Sequence, residues 1–156
     1  MILISACLCG INCKYNGENN LNENILELIK NGKAIPVCPE QLGGLCTPRV
    51  ESEIKNGTGK EVLYRTAQVV DKDGNDVTEN FIRGANEALK IAKSVNAKIA
   101  ILKSNSPSCG FGKIYDGSFK GNKIDGNGVT TALLLENDIK VFTEHDVEKF
   151  LLDIKR

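Results

Sequence analysis

The sequence predicts an α/β fold: a largely parallel, Rossmann-like sheet with helices on both faces and one β-hairpin insertion. Three observations carry that prediction. Short continuous apolar runs, which fit buried strands, alternate along the chain with segments of 3.6-residue periodicity. Cys- and Gly-bearing segments stop several of the runs, as loops at strand ends do. One strong turn, Asp71-Lys72-Asp73-Gly74-Asn75, lies between two extended segments and marks the hairpin. With no internal repeat, low-complexity tract or linker, residues 1–156 are expected to form a single domain.

Met1-Ile2-Leu3-Ile4-Ser5 is the first strand, ending at Cys7-Leu8-Cys9-Gly10. Asn22 can cap a helix carrying Ile25, Leu26, Leu28 and Ile29, which Asn31-Gly32 closes. Ala34-Ile35-Pro36-Val37 is the second strand and runs into Cys38-Pro39-Glu40. Gln41 to Gly59 has little periodicity and is expected to be an extended loop near a site. Val62 to Val70 is expected to be a strand that turns and returns through Val77. Thr78 then caps a helix whose Phe81, Ala85, Ala88, Leu89, Ala92 and Val95 form one apolar stripe. Lys98 to Lys103 is a buried strand, Phe111 to Gly128 a Gly- and Lys-rich stretch, and Val129 to Glu136 a buried helix. Ile139 to Phe142 is the last strand. Thr143 with Asp146 resembles a capping box for a helix that puts Val147, Phe150, Leu151 and Ile154 on one face.

Charge and composition exclude several functions. The 20 basic and 20 acidic side chains cancel, whereas affinity for a long polyanion comes from many Lys and Arg contacts. With no Trp and 5% aromatic residues, a stacking platform for single-stranded nucleic acid is excluded too. No stretch approaches the roughly 20 apolar residues of a membrane-spanning helix. The residues before Cys7 resemble a lipoprotein cleavage box but include no basic side chain, and secretory signals run about 15–30 residues. The expected location is the cytoplasm.

A reducing compartment makes a disulfide framework the wrong explanation for six cysteines. Cys7 and Cys38 directly follow predicted strands, and Cys109 comes seven residues after Leu102. If those strands are parallel, the three loops converge at the carboxyl edge of the sheet, where α/β proteins bind ligands. Cys7-x-Cys9 and the three-residue gap to Cys13 do not match paired zinc knuckles, and no ferredoxin-type run is present. Buried free cysteines behave as small hydrophobes, but Gly, Pro, Glu and Ser flank these three. Cys9, Cys13 and Cys46 stay open among packing, redox sensitivity and an alternative ligand role.

Several blocks together are recognisable: Ser5-Ala6-Cys7-Leu8-Cys9-Gly10, Cys13-Lys14-Tyr15-Asn16-Gly17, Cys38-Pro39-Glu40-Gln41-Leu42-Gly43-Gly44-Leu45, Thr47-Pro48-Arg49, Gly84-Ala85, Ile101-Leu102-Lys103, Ser106-Pro107-Ser108-Cys109-Gly110 and Ile114-Tyr115-Asp116-Gly117-Ser118-Phe119. In this order they resemble the thiouracil desulfidase family over nearly the whole chain. The resemblance implies a 4Fe-4S cluster held by Cys7, Cys38 and Cys109, and removal of sulfur from 4-thiouracil or its nucleotide. A related branch with an extra domain acts on thiolated tRNA. These 156 residues show no such domain and no net charge, which favours a small thiolated pyrimidine over a nucleic-acid polymer. Cys9 and Asn16 depart from the Leu and Asp that the family often carries there.

The expected chemistry is hydrolytic and non-redox: three thiolates leave one iron without a protein ligand, as catalytic zinc keeps an open position. Glu40 is the candidate general base for the attacking water. Ser106 is either a proton-relay or orienting hydroxyl, or a turn cap before Pro107. Substrate-binding candidates are Lys14, Tyr15, Asn16 and Gly17 of the first loop, with Arg49, Lys103 and Lys113. For a phosphate, Lys14, Arg49, Lys103, Lys113 and backbone amides near Gly10 and Gly110 are considered. His145, the sole histidine, is expected to be solvated. The competing reading is an electron-transfer or redox-sensing iron–sulfur protein, which would require a fourth essential cysteine such as Cys46 or Cys9.

Overall fold

The computed structural model describes residues 1–154, apart from the side chains of Asp153 and Ile154. The predicted place of Ile154 on the last helix's apolar face therefore lies outside the described residues. In chain order the elements are β1 (Ile2–Ser5), α1 (Glu23–Lys30), β2 (Ala34–Val37), α2 (Pro39–Leu42), β3 (Ser52–Lys55), α3 (Gly59–Leu63), β4 (Gln68–Asp71), α4 (Thr78–Ser94), β5 (Ile99–Leu102), β6 (Lys113–Tyr115), β7 (Lys123–Asp125), α5 (Val129–Glu136), β8 (Lys140–Thr143) and α6 (Val147–Ile154).

β1, β2, β5 and β8 form one parallel sheet in the order β2-β1-β5-β8. Both faces are covered, as the continuous apolar runs require. Leu3, Val37, Ala100, Leu102 and Val141 pack against Ala88, Leu89 and Ala92 of α4 and Leu134 of α5. On the other face Ile2, Ile4 and Ile101 pack against Ile25 and Leu28 of α1 and Phe150 of α6. Burying a side chain such as Leu89 or Ile25 contributes on the order of 2 kcal/mol. The local signals act where they stand. The Asn22 side chain accepts the Asn24 and Ile25 N–H groups, and Thr143 with Asp146 closes a capping box.

Four expectations need correcting. The stretch from Gln41 to Gly59 is not all loop, because it contains β3, which pairs antiparallel with β4. Val62 to Val70 is not one strand: Val62 lies in α3, a short helix whose Thr58 hydroxyl donates to Glu61 Oε2 at 2.8 Å, and only Gln68 onward is extended. The predicted return after the Asp71 turn shrinks to one bridge, Val70 to Asp76, since α4 already begins at Thr78. Thr78 does not cap α4. Its hydroxyl accepts the Val69 N–H at 3.0 Å, while Asp76 takes the Thr78 N–H at 2.9 Å. The Gly- and Lys-rich stretch also holds a second hairpin, β6–β7.

A second, smaller core lies beneath these hairpins, where Ile54, Val62, Val69, Phe81 and Ile114 meet Val129 of α5. The topology reverses at β1. The chain leaves β1 for β2 on one side and later returns to β5 on the other, so a crevice opens between the ends of β1 and β5.

Candidate active site

That crevice is a cavity of about 400 Å³, within the range of small-molecule sites. The loops after β1, β2 and β5 bring Cys7, Cys38 and Cys109 to its wall, as their places after the strands predicted. Cys13 joins them, only 2% exposed. Cys9 turns its thiol toward the Ser5 carbonyl at 3.9 Å and Cys46 is exposed, so neither lines the cavity. No three His, Cys, Asp or Glu side chains among the described residues close on a point as for a single ion. The thiols ring the cavity instead.

The sulfurs interact with one another. The Cys13 thiol hydrogen-bonds to Cys38 and Cys7, which keeps Cys13 protonated by raising its pKa. The same bonds lower the partners. Cys38 falls to about 7, with help from the Gln41 N–H and Arg49 against the cost of burial. Cys7 is lowered by Cys13 and by the Asn20 side chain, also against burial. Cys109, also buried, is pushed up to about 12 by that burial, partly offset by the Ser5 and Ser108 hydroxyls.

Beside the sulfurs lies a buried polar chain. Glu40 sits in the single turn of α2, directly after Cys38. Its Oε2 receives Arg49 Nε at 2.7 Å and Nη2 at 2.6 Å, a charge-assisted pair with both side chains largely buried. Glu40 Oε1 accepts the Ser108 hydroxyl at 3.2 Å. Ser108 Oγ in turn stands 3.0 Å from Ser106 Oγ and 3.5 Å from Cys109 Sγ. Ser106 Oγ accepts the N–H groups of Ser108 and Cys109, both at 3.1 Å. Every group is satisfied when Ser106 donates to Ser108 and Ser108 donates to Glu40. Ser106 is thus the turn cap, and Ser108, 3% exposed, is the hydroxyl that touches the carboxylate. Ser108 is not among the residues singled out from the sequence, and Cys13, left open there, lines the cavity. The one available signal was the packing of two serines immediately before Cys109.

The substrate-binding candidates divide. Lys14, Tyr15, Arg49 and Lys103 line the cavity. Arg49 spends its donors on Glu40, the Cys13 and Cys46 carbonyls and Thr47, and so fixes the loops more than it offers itself to a ligand. Lys103 is paired with Glu144 at 2.8 Å, leaving Lys14 as the lining cation without an ion-pair partner among the described residues. Asn16 bonds to Glu18, Gly17 shapes the same turn, and Lys113 pairs with Asp125; none of the three lines the cavity. The Gly10 and Gly110 N–H groups already bond to Cys7 and Ser106 carbonyls. His145 is exposed.

Comparison with known proteins agrees with this geometry. The 2-thiouracil desulfurase family matches residues 2–146. A Bacillus subtilis (strain 168) protein named "Uncharacterized protein YbbK" is 50% identical over 151 residues, 97% of this chain and 100% of that protein. A solved structure described as "[4Fe-4S]-dependent thiouracil desulfidase TudS" superposes with a TM-score of 0.86 at 39% identity, covering 99% of this chain and 97% of that one. The chain belongs to the 2-thiouracil desulfurase family.

Proposed function

We propose that this chain is a 4Fe-4S-dependent desulfidase that converts 4-thiouracil or 4-thiouridine monophosphate to uracil or UMP, with Cys7, Cys38 and Cys109 holding the cluster. The observation that carries the proposal is the meeting of these three thiols around one cavity beside the buried Glu40–Ser108 pair. The donor set fits the cluster. It is all sulfur, drawn from around a cavity, and the side chains of Asn20 and Ser5 lie against the sulfurs, the kind of contact that tunes iron–sulfur sites. When bound, the cluster supplies a Lewis-acidic iron with no protein ligand, a soft partner for a thiocarbonyl sulfur.

The chain's own residues handle the proton. Glu40 Oε1, bonded only to Ser108, keeps a lone pair to take a proton from the water that adds at C4. Arg49 holds the other oxygen and fixes the carboxylate in place. Ser108, reoriented by Ser106, balances charge on Oε1 as the proton arrives and leaves with the sulfur. Overall, water oxygen replaces sulfur at C4, sulfur departs as hydrosulfide, and no electron is transferred. The lining residues include three acids (Glu40, Glu51, Glu53) and three bases (Lys14, Arg49, Lys103), which suits a small heterocycle, with Lys14 for a nucleotide phosphate. In this reading the chain acts as one cytoplasmic domain without a nucleic-acid polymer as partner.

Anaerobic purification tests it. The protein is expected to be brown with about four irons per chain, to release sulfide from at least one of base, nucleoside and nucleotide, and to lose iron on Ser substitution of Cys7, Cys38 or Cys109 but not of Cys9 or Cys46. A colourless protein, or a brown one that releases no sulfide from any of the three, would overturn the assignment.

A further inference from the structure

Part of the cavity wall is made by the loop between β6 and β7, and its backbone is unusual. Phe119 lines the cavity and has φ +58°, a left-handed conformation that costs a bulky residue on the order of 1 kcal/mol. Such strain persists only where the surroundings over-determine it, and it concentrates at functional sites. Here the determinant is Glu53 of β3. Its side chain is 8% exposed and pairs with no cation among the described residues. Glu53 Oε1 accepts the N–H of Gly117 at 3.0 Å and of Phe119 at 3.1 Å. The loop is pressed so closely onto β3 that a Cβ on Gly117, itself at φ +91°, would lie 2.6 Å from the Ile54 carbonyl oxygen. Asp116 tightens the turn by accepting the Ser118 N–H at 2.9 Å.

We propose that Phe119 is the stacking wall of the cavity, selecting a flat heterocycle, and that Glu53 is the positioning residue that holds it there. The proposal rests on the pyrimidine reading of the site. The other aromatic residues at the cavity are less suited: the Lys123 ammonium lies over the Tyr115 ring at 5.7 Å, and Tyr15 is 43% exposed. One oxygen of a buried carboxyl that accepts two backbone N–H groups ties the loop to β3 at two points, enough to fix a ring whose face gives affinity for any base.

The test uses the anaerobic holoenzyme, with iron content and thermal unfolding measured for every variant. Phe119→Ala should raise both the KM for 4-thiouracil and the Kd for uracil about tenfold, in line with base–aromatic stacking, while kcat changes far less. Phe119→Tyr should restore both. Glu53→Ala should reproduce the KM and Kd rise, and the double variant should be no worse than either single one, because the two act through one contact. Glu53→Gln, whose amide oxygen can still accept both N–H groups, should stay close to wild type. Unchanged uracil affinity in Phe119→Ala would overturn the proposal, as would a Glu53→Ala variant that loses only stability. If wild type binds uracil through Phe119 but releases no sulfide, the wall stands and the desulfidase reading falls.

Discussion

The cavity has two walls made in different ways. The sulfur wall grows from the parallel sheet: Cys7, Cys38 and Cys109 follow strands buried between two apolar layers, and Glu40 is fixed by a buried ion pair. The other wall comes from β3, paired antiparallel with β4, and the β6–β7 hairpin, over a smaller core and fastened by side-chain to backbone bonds such as those of Glu53. Rigid elements hold reacting groups more precisely than loops do, whereas loops vary more easily. In the reading proposed above, the division puts the reaction on the sheet side and the stacking of the heterocycle on the hairpin side.

The largest expected effect breaks the sheet side alone. Glu40→Gln keeps the shape but removes the base and, because one amide oxygen cannot accept from both Ser108 and Arg49, the ion pair; kcat should fall about 10²- to 10⁴-fold, the usual worth of a positioned base, in preparations with full iron content. KM should move little, in contrast to Phe119→Ala. Turnover and iron assays on the same preparation check this, and a variant that turns over at the wild-type rate would remove Glu40 from the mechanism.

A backbone contact carries the next effect. α2, which bears Glu40, lies against α4 so tightly that a Cβ on Gly84 would sit 1.9 Å from the Pro39 carbonyl oxygen. On the other side of the seam the Asn80 side-chain amide donates to the Gly43 carbonyl at 2.9 Å. Gly84→Ala must push α2 away, costing about 1–3 kcal/mol as overpacking does. Cys38 and Glu40 move with it, so the variant should both unfold at lower urea concentration and retain less iron. A variant with wild-type unfolding and full iron content would show that the seam can yield without disturbing the site.

The same division decides what was legible in the sequence. Ile2 to Ser5, Ala34 to Val37 and Ile99 to Leu102 declare themselves because strands buried on both faces need unbroken apolar runs, and Asn22 and Thr143 mark helix starts by local chemistry. That Cys7, Cys38 and Cys109 reach one cavity follows from those strand ends. β3 was hidden because Ser52-Glu53-Ile54-Lys55 offers one strongly apolar residue, and its buried carboxylate makes sense only once the loop 117–119 folds onto it. Val62 to Val70 misled because apolar content cannot distinguish a short helix from a strand when tertiary packing of Val62 decides. Cys13 reaches the site through a long-range tie, its carbonyl accepting Arg49 Nη2 at 2.9 Å, which no local pattern encodes.

The smallest effect compares two neighbouring hydroxyls on α5, where the two cores meet. Thr131 Oγ1 donates to the Cys109 carbonyl at 2.8 Å and so supports the ligand loop. Thr130, 0% exposed, has a hydroxyl with no hydrogen-bond partner among the described residues. An unsatisfied buried hydroxyl costs about 1–3 kcal/mol, so Thr130→Val, which replaces it with a methyl group of the same shape, should leave stability unchanged or raise it by about 1 kcal/mol. Thr131→Val should lower stability by a similar amount and loosen Cys109, seen as faster iron loss to a chelator. Urea unfolding midpoints of the two variants separate them. A loss of stability in Thr130→Val would mean that its hydroxyl is satisfied in solution, and that α5 supports the site through both threonines.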